Sequence, residues 1–100
     1  MTATPRFFAE AAEEIEHERA WYRQRSHGAE TGFLRELDHA IEAVVNAPDR
    51  WPEYLGDTRR YVFPTFPFSI VYFVENEQIV IVALANEHRR PGYWRQRLRR

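Results

Sequence analysis

The chain has 100 residues, 44% of them hydrophobic and 15% aromatic, which describes one folded domain spanning 1–100 with a single modest core rather than a disordered segment. It contains no cysteine, so disulfide scaffolds and thiol chemistry are excluded and a reducing compartment is permitted. No apolar run approaches the length of a membrane span and the N-terminus lacks a signal-peptide pattern, so the expectation is a cytoplasmic protein with no membrane contact. The net charge of −1 hides an asymmetry: residues 1–55 carry six Arg against eleven acids, and residues 56–100 carry eight Arg against four. A basic half of this kind can meet nucleic acid or an acidic partner, although Glu-rich surface helices near the N-terminus produce the same imbalance.

Between Glu10 and Arg25, Ala12, Ile15 and Tyr22 recur among glutamates at helical spacing, predicting an amphipathic helix. Its early acids and late arginines both suit the helix dipole. Ser26-His27-Gly28 interrupts it, and a second helix is expected from about Ala29 to Asn46, with Phe33, Leu37, Ile41 and Val44 as the buried stripe. The pair should form an antiparallel hairpin.

Pro48 and Pro52 end the second helix, and beyond them the apolar period changes from 3.6 to two. Strands are predicted at Arg59–Phe63, Phe68–Glu75 and Gln78–Ala85, the last two joined by a tight turn at Asn76 and Glu77. Residues Ala3–Phe8 are a candidate edge strand, weakened by Pro5. The expected fold class is therefore α+β: an N-terminal antiparallel helical hairpin packed on a three- to four-stranded, mainly antiparallel sheet, closed by a short C-terminal segment or helix. The hairpin covers one face of the sheet. Because Ile79–Ala85 is apolar on both alternating faces, the other face needs a second cover, either the C-terminal segment or a bound partner, and the isolated chain should expose an apolar patch there.

Chemistry is concentrated in Asn86–Arg100, where six of the 14 arginines join His88, Tyr93 and Trp94 at the end of the last strand. Planar guanidinium groups suit phosphate or carboxylate recognition. Imidazole titrates near neutral pH, so His88 reads either as a general acid or as a solvent-facing loop residue. Arg59 and Arg60 alternate across a strand, so only one of them faces a given surface. Trp94 is expected to pack onto the core, whereas Tyr93 is open to packing or recognition. The arginines at 95, 97, 99 and 100 read as a nucleic-acid tail or as a solvated terminus. His17-Glu18 opens like a zinc-protease signature, but Trp21 occupies the position of the second histidine. The scattered glycines make no phosphate loop, and no metal or other cofactor is expected.

The ordered set Trp21-Tyr22, Pro48-Asp-Arg-Trp-Pro52, Arg59-Arg60, Phe66-Pro-Phe-Ser-Ile-Val-Tyr72 and His88-Arg-Arg-Pro-Gly-Tyr-Trp94 resembles the RelE/ParE superfamily of type II toxin–antitoxin toxins, most closely the ParE-like, plasmid-stabilisation branch. The resemblance covers nearly the whole chain. It implies a growth-arresting toxin held in a hetero-oligomer by a cognate antitoxin, whose C-terminal segment wraps the toxin's helices and sheet. Two mechanisms follow from it: non-enzymatic interference with DNA gyrase, and ribosome-dependent cleavage of messenger RNA. Gyrase interference is the leading expectation. The resemblance gives Arg60 and His88 catalytic roles only in the ribonuclease reading, with Glu53 as a possible base by rough position. Arg59, Arg89, Arg90, Tyr93, Arg95 and Arg97 are the candidate contacts for target or partner. A lysine-free chain without net positive charge is a poor match for a protein that must enter a ribosome. A third possibility is a non-toxic protein-binding module whose grooves only accept a partner.

Overall fold

The structure, a computed structural model, describes residues 4–99. In chain order it contains β1 (Arg6–Phe7), α1 (Ala9–Arg25), α2 (His27–Asn46), a 3₁₀ turn (Leu55–Asp57), β2 (Arg59–Val62), β3 (Phe68–Glu75), β4 (Gln78–Asn86) and a C-terminal 3₁₀ segment (Arg95–Arg99). The sheet order is β1-β4-β3-β2; β1 runs parallel to β4 and the remaining pairs are antiparallel. This is the expected α+β architecture. The edge strand is shorter than the predicted Ala3–Phe8, following Pro5 with only two paired residues; Ala3 lies outside the described residues.

The interruption between the helices is one residue, not three. Ser26 is extended (φ −173°, ψ 159°), its backbone N–H donates to the Tyr22 carbonyl to close α1, and its side chain accepts from the Ala29 N–H at 3.0 Å to open α2. A single serine therefore supplies both caps, and His27 and Gly28 are helical. The fold-back stacks Tyr22 on Phe33, with ring centroids 5.3 Å apart. It also brings Arg19 and Arg23 to the Glu30 carboxylate at 3.1 and 3.0 Å. The hydrogen bond from Arg23 leads the effects that hold Glu30 below the usual carboxylate range, against the opposing effect of burial. In α1 the stripe runs through buried Ala11, with Ile15 and Tyr22 half-buried, whereas the predicted Ala12 is exposed. Positions 11, 15 and 22 fall within about 40° on a 100°-per-residue helix, and position 12 lies about 80° from the centre of that stripe.

The Asn76-Glu77 turn has φ values of 53° and 65°, the left-handed pair that a two-residue hairpin requires. Asparagine accepts this conformation; glutamate does so at a cost. Glu77→Gly is expected to raise unfolding stability by about 1 kcal/mol, read as a higher urea midpoint at unchanged slope.

A bulge in β4 sets the two faces of the sheet. Val71 pairs with Ala83 and Tyr72 with Ile81, so Val82 is the extra residue. Val82 and Ala83 consequently both join the cluster of the second face, and Leu84 returns to the first. The first face, with Phe68, Ile70, Tyr72 and Ile81, is buried under Phe33, Leu37 and Val44 of α2. The second, with Val71, Val82 and Ala83, is buried under Trp94, with Tyr54, Leu55 and Leu98 at its border. The chain's own C-terminal segment is thus the second cover. Apolar surface remains at the far end of this face, where Phe8, Phe73 and Leu98 help to line an open groove of about 660 Å³.

The buried Tyr72 phenol donates to the Pro48 carbonyl at 2.6 Å, tying the sheet to the turn after α2. Burial pushes this phenol from the usual 10.0 up to about 12, with Arg59 opposing and Asp49 adding. Because the folded value lies above the unfolded one, this contribution is complete below pH 10 and is lost as pH rises through 12. Urea unfolding followed from pH 9 to 12 should show falling stability, with a shallower decline in Tyr72→Phe.

Candidate functional site

The turn after β4 is organised by Asn86. Its side chain accepts from the His88 N–H at 2.8 Å, and its carbonyl accepts from the Arg89 N–H at 3.0 Å. Gly92, at φ 80°, then swings the chain inward; a Cβ there would lie 2.9 Å from Cδ of Arg95 and 3.2 Å from Leu55. That swing buries the Trp94 ring while leaving the arginines before it exposed.

Between this loop and β2 lies a cleft of about 220 Å³. On one side the Arg60 guanidinium sits 4.2 Å over the Tyr54 ring; on the other Arg89 sits 3.8 Å over Tyr93. Arg90 contributes a third cation, Ser69 and Val71 line the sheet side, and Glu87 is the acid in the lining. Stacking holds each guanidinium flat against a ring, and three cations around one cleft suit a planar or tetrahedral anion.

The sequence candidates separate into distinct places. Arg60, Arg89, Arg90 and Tyr93 share the cleft. Arg59 points away from it, donating to the Trp51 carbonyl at 2.7 Å and pairing with Glu53 at 3.6 Å. His88 is exposed and outside the lining of the cleft, as is Glu53. Arg95 and Arg99 are exposed, Arg97 turns inward, and Arg100 lies outside the described residues.

The partner of Arg97 is a residue that sequence reasoning missed. Glu14, on α1, accepts from Nη1 and Nη2 of Arg97 at 3.0 and 2.9 Å, from the Tyr93 phenol at 2.5 Å and from the Leu84 N–H at 3.1 Å. Arg97 also donates to the Val82 carbonyl at 3.0 Å. Val82 and Leu84 lie past the end of the short β1, so side chains satisfy backbone groups that no neighbouring strand reaches there. Burial, then the hydrogen bond and charge of Glu14, push the Tyr93 phenol well above its usual range. Burial works against the charge of Arg97, but the hydrogen bond and charge of Glu14 outweigh it and raise its pKa. Beside this network runs an acidic trough of about 410 Å³ that includes Glu10, Glu13, Glu14, His17 and Glu18. Burial raises the Glu18 carboxyl above its usual range, with His17 opposing and the charge of Glu14 adding. No group of three or more His, Cys, Asp or Glu able to hold a metal ion occurs among the described residues.

A family model described as the ParE toxin of type II toxin–antitoxin systems, parDE, matches residues 6–91. The chain belongs to the ParE toxin family. A solved structure from P. aeruginosa, titled as a chromosomal ParDE toxin–antitoxin system, shares the fold at a TM-score of 0.61 and 15% identity, covering 85% of this chain and 96% of that one. No curated protein sequence matches. The ParE match ends at Pro91, before Tyr93, Trp94 and Arg97, so the C-terminal half of the Glu14 network lies beyond the region matched by the family model. No helix among the described residues is long and apolar enough to cross a membrane.

Proposed function

We propose that this ParE-family chain acts in the cytoplasm as the toxin of a type II pair, is neutralised by a cognate antitoxin, and arrests growth by interfering with DNA gyrase. Membership of the ParE family carries this reading. The geometry supports a binding surface rather than an acid–base centre: the cleft gathers Arg60, Arg89 and Arg90 with two aromatic rings, while His88 lies outside its lining. A surface of this kind acts by complementarity, so its loss should be graded. The ribonuclease reading retains one favourable observation, that Arg60 and Tyr93 line the same cleft. The neutral-module reading predicts no growth arrest at all.

Expression without antitoxin separates the three. The account expects arrest, a several-fold loss of potency for each of Arg60→Ala and Arg90→Ala, and undiminished arrest by His88→Ala. Arrest abolished by His88→Ala alone, with the fold intact, would instead favour the nuclease.

A further inference from the structure

We infer that Glu14 is a positioning residue for the target-binding cleft, acting from α1 through Tyr93 and Arg89; this rests on the reading that the cleft contacts the target. Tyr93 and Arg89 line both the cleft and the acidic trough, so the pair forms the partition between them. One face of the partition is presented to a target, and Glu14 holds the other. The phenol donates to Oε2 of Glu14 at 2.5 Å, and a guanidinium nitrogen of Arg89 lies 4.0 Å from the same oxygen. With Arg89 stacked on the Tyr93 ring, orienting the phenol also orients the cation above it.

Glu14 is itself tightly constrained. The two-pronged grip of Arg97 and the Leu84 N–H fix both carboxylate oxygens, and the side chain is 18% exposed. A ligand-facing pair locked by a constrained residue behind it is the arrangement that preorganises a binding surface. Tyr93 follows Gly92 on an otherwise exposed loop, so without this tie the phenol would keep only its longer 3.4 Å hydrogen bond to the Leu84 carbonyl, and the ring its packing and guanidinium contacts. A merely structural role for Glu14, stapling the C-terminal segment to α1, makes a different prediction, because it affects potency only by unfolding the chain.

The test uses the full chain with gyrase and supercoiled DNA, scoring trapped cleavage complexes against toxin concentration at a temperature where circular dichroism shows every variant folded. Glu14→Gln is expected to need at least about tenfold more toxin for half-maximal trapping, together with a fall in the Tyr93 phenol titration towards its usual range. Tyr93→Phe keeps the ring and the Arg97 grip but removes the tie, so it should lose potency similarly; combined with Glu14→Gln it should add less than about twofold. Val44→Ala, a core truncation in α2, controls for stability and should stay within about twofold of wild type. Glu14→Gln or Tyr93→Phe, folded and within twofold of wild type, would overturn the positioning role while leaving the gyrase reading standing. A wild-type chain that traps no complexes would overturn the gyrase reading, and this role with it.

Discussion

Trp94→Ala is expected to cost about 3–5 kcal/mol, a large part of the roughly 5–15 kcal/mol that holds a domain of this size together. The ring is 1% exposed and covers Val71, Val82 and Ala83 on the second face of the sheet, beside Tyr54 at a centroid distance of 5.9 Å. Its loss removes the largest apolar group of that layer and leaves a cavity that Leu55 and Leu98, both at the border, are poorly placed to fill. Urea unfolding should show the loss directly, and a dye that binds exposed apolar surface should bind the variant more strongly at low urea. Trp21→Ala is the contrasting case. Trp21 is 42% exposed, so its substitution should cost less than about 1 kcal/mol even with the Arg25 guanidinium stacked 3.9 Å away.

Arg97→Ala should destabilise the chain by about 3 kcal/mol. The side chains of Arg97 and Glu14 are 15% and 18% exposed, so the substitution takes the two-pronged cation from a largely buried carboxylate, which keeps Tyr93 and Leu84 as donors, and leaves the Val82 carbonyl without its guanidinium donor. Arg95→Ala and Arg99→Ala, on exposed neighbours, should each stay within about 0.5 kcal/mol of wild type. Equal effects at all three positions would show that the Glu14 contact contributes nothing to stability.

The arginine tail shows where sequence reasoning reaches its limit. Alternating charge along Arg95–Arg99 looks uniform, yet one of its arginines is drawn inward because a carboxylate 83 positions earlier in the chain lies beside the edge of β4 that the short β1 leaves unpaired. No local pattern around Glu14 announces that role; it sits among other glutamates on a helix whose first half is acidic throughout. The bulge at Val82 is equally hidden, because Val82 and Ala83 are both apolar and a phase change inside an apolar run leaves no mark. What could be read were the features with short-range physical causes. The period-two strands and the Asn76-Glu77 turn lie where spacing places them, and Trp94 packs inward as expected. Arg59 and Arg60 do fall on opposite faces, but alternation alone cannot say which of them meets the cleft. The register of β2 on β3 decides that, setting Arg60 opposite Val71 of the cleft face and Arg59 opposite Tyr72 of the helix-covered face. At Ser26 the serine was legible as part of a helix interruption, but not as the sole residue of it, because double capping depends on the angle at which the second helix returns.

Incubating the purified chain with gyrase, ATP and supercoiled plasmid, then adding denaturing detergent and protease, shows whether the chain traps gyrase on cleaved DNA. The account predicts linear DNA that increases with toxin, is suppressed when the cognate antitoxin is added first, and persists with His88→Ala. No linear DNA at any toxin concentration, with messenger RNA on translating ribosomes cut in the A site in a manner that vanishes with His88→Ala, would contradict it.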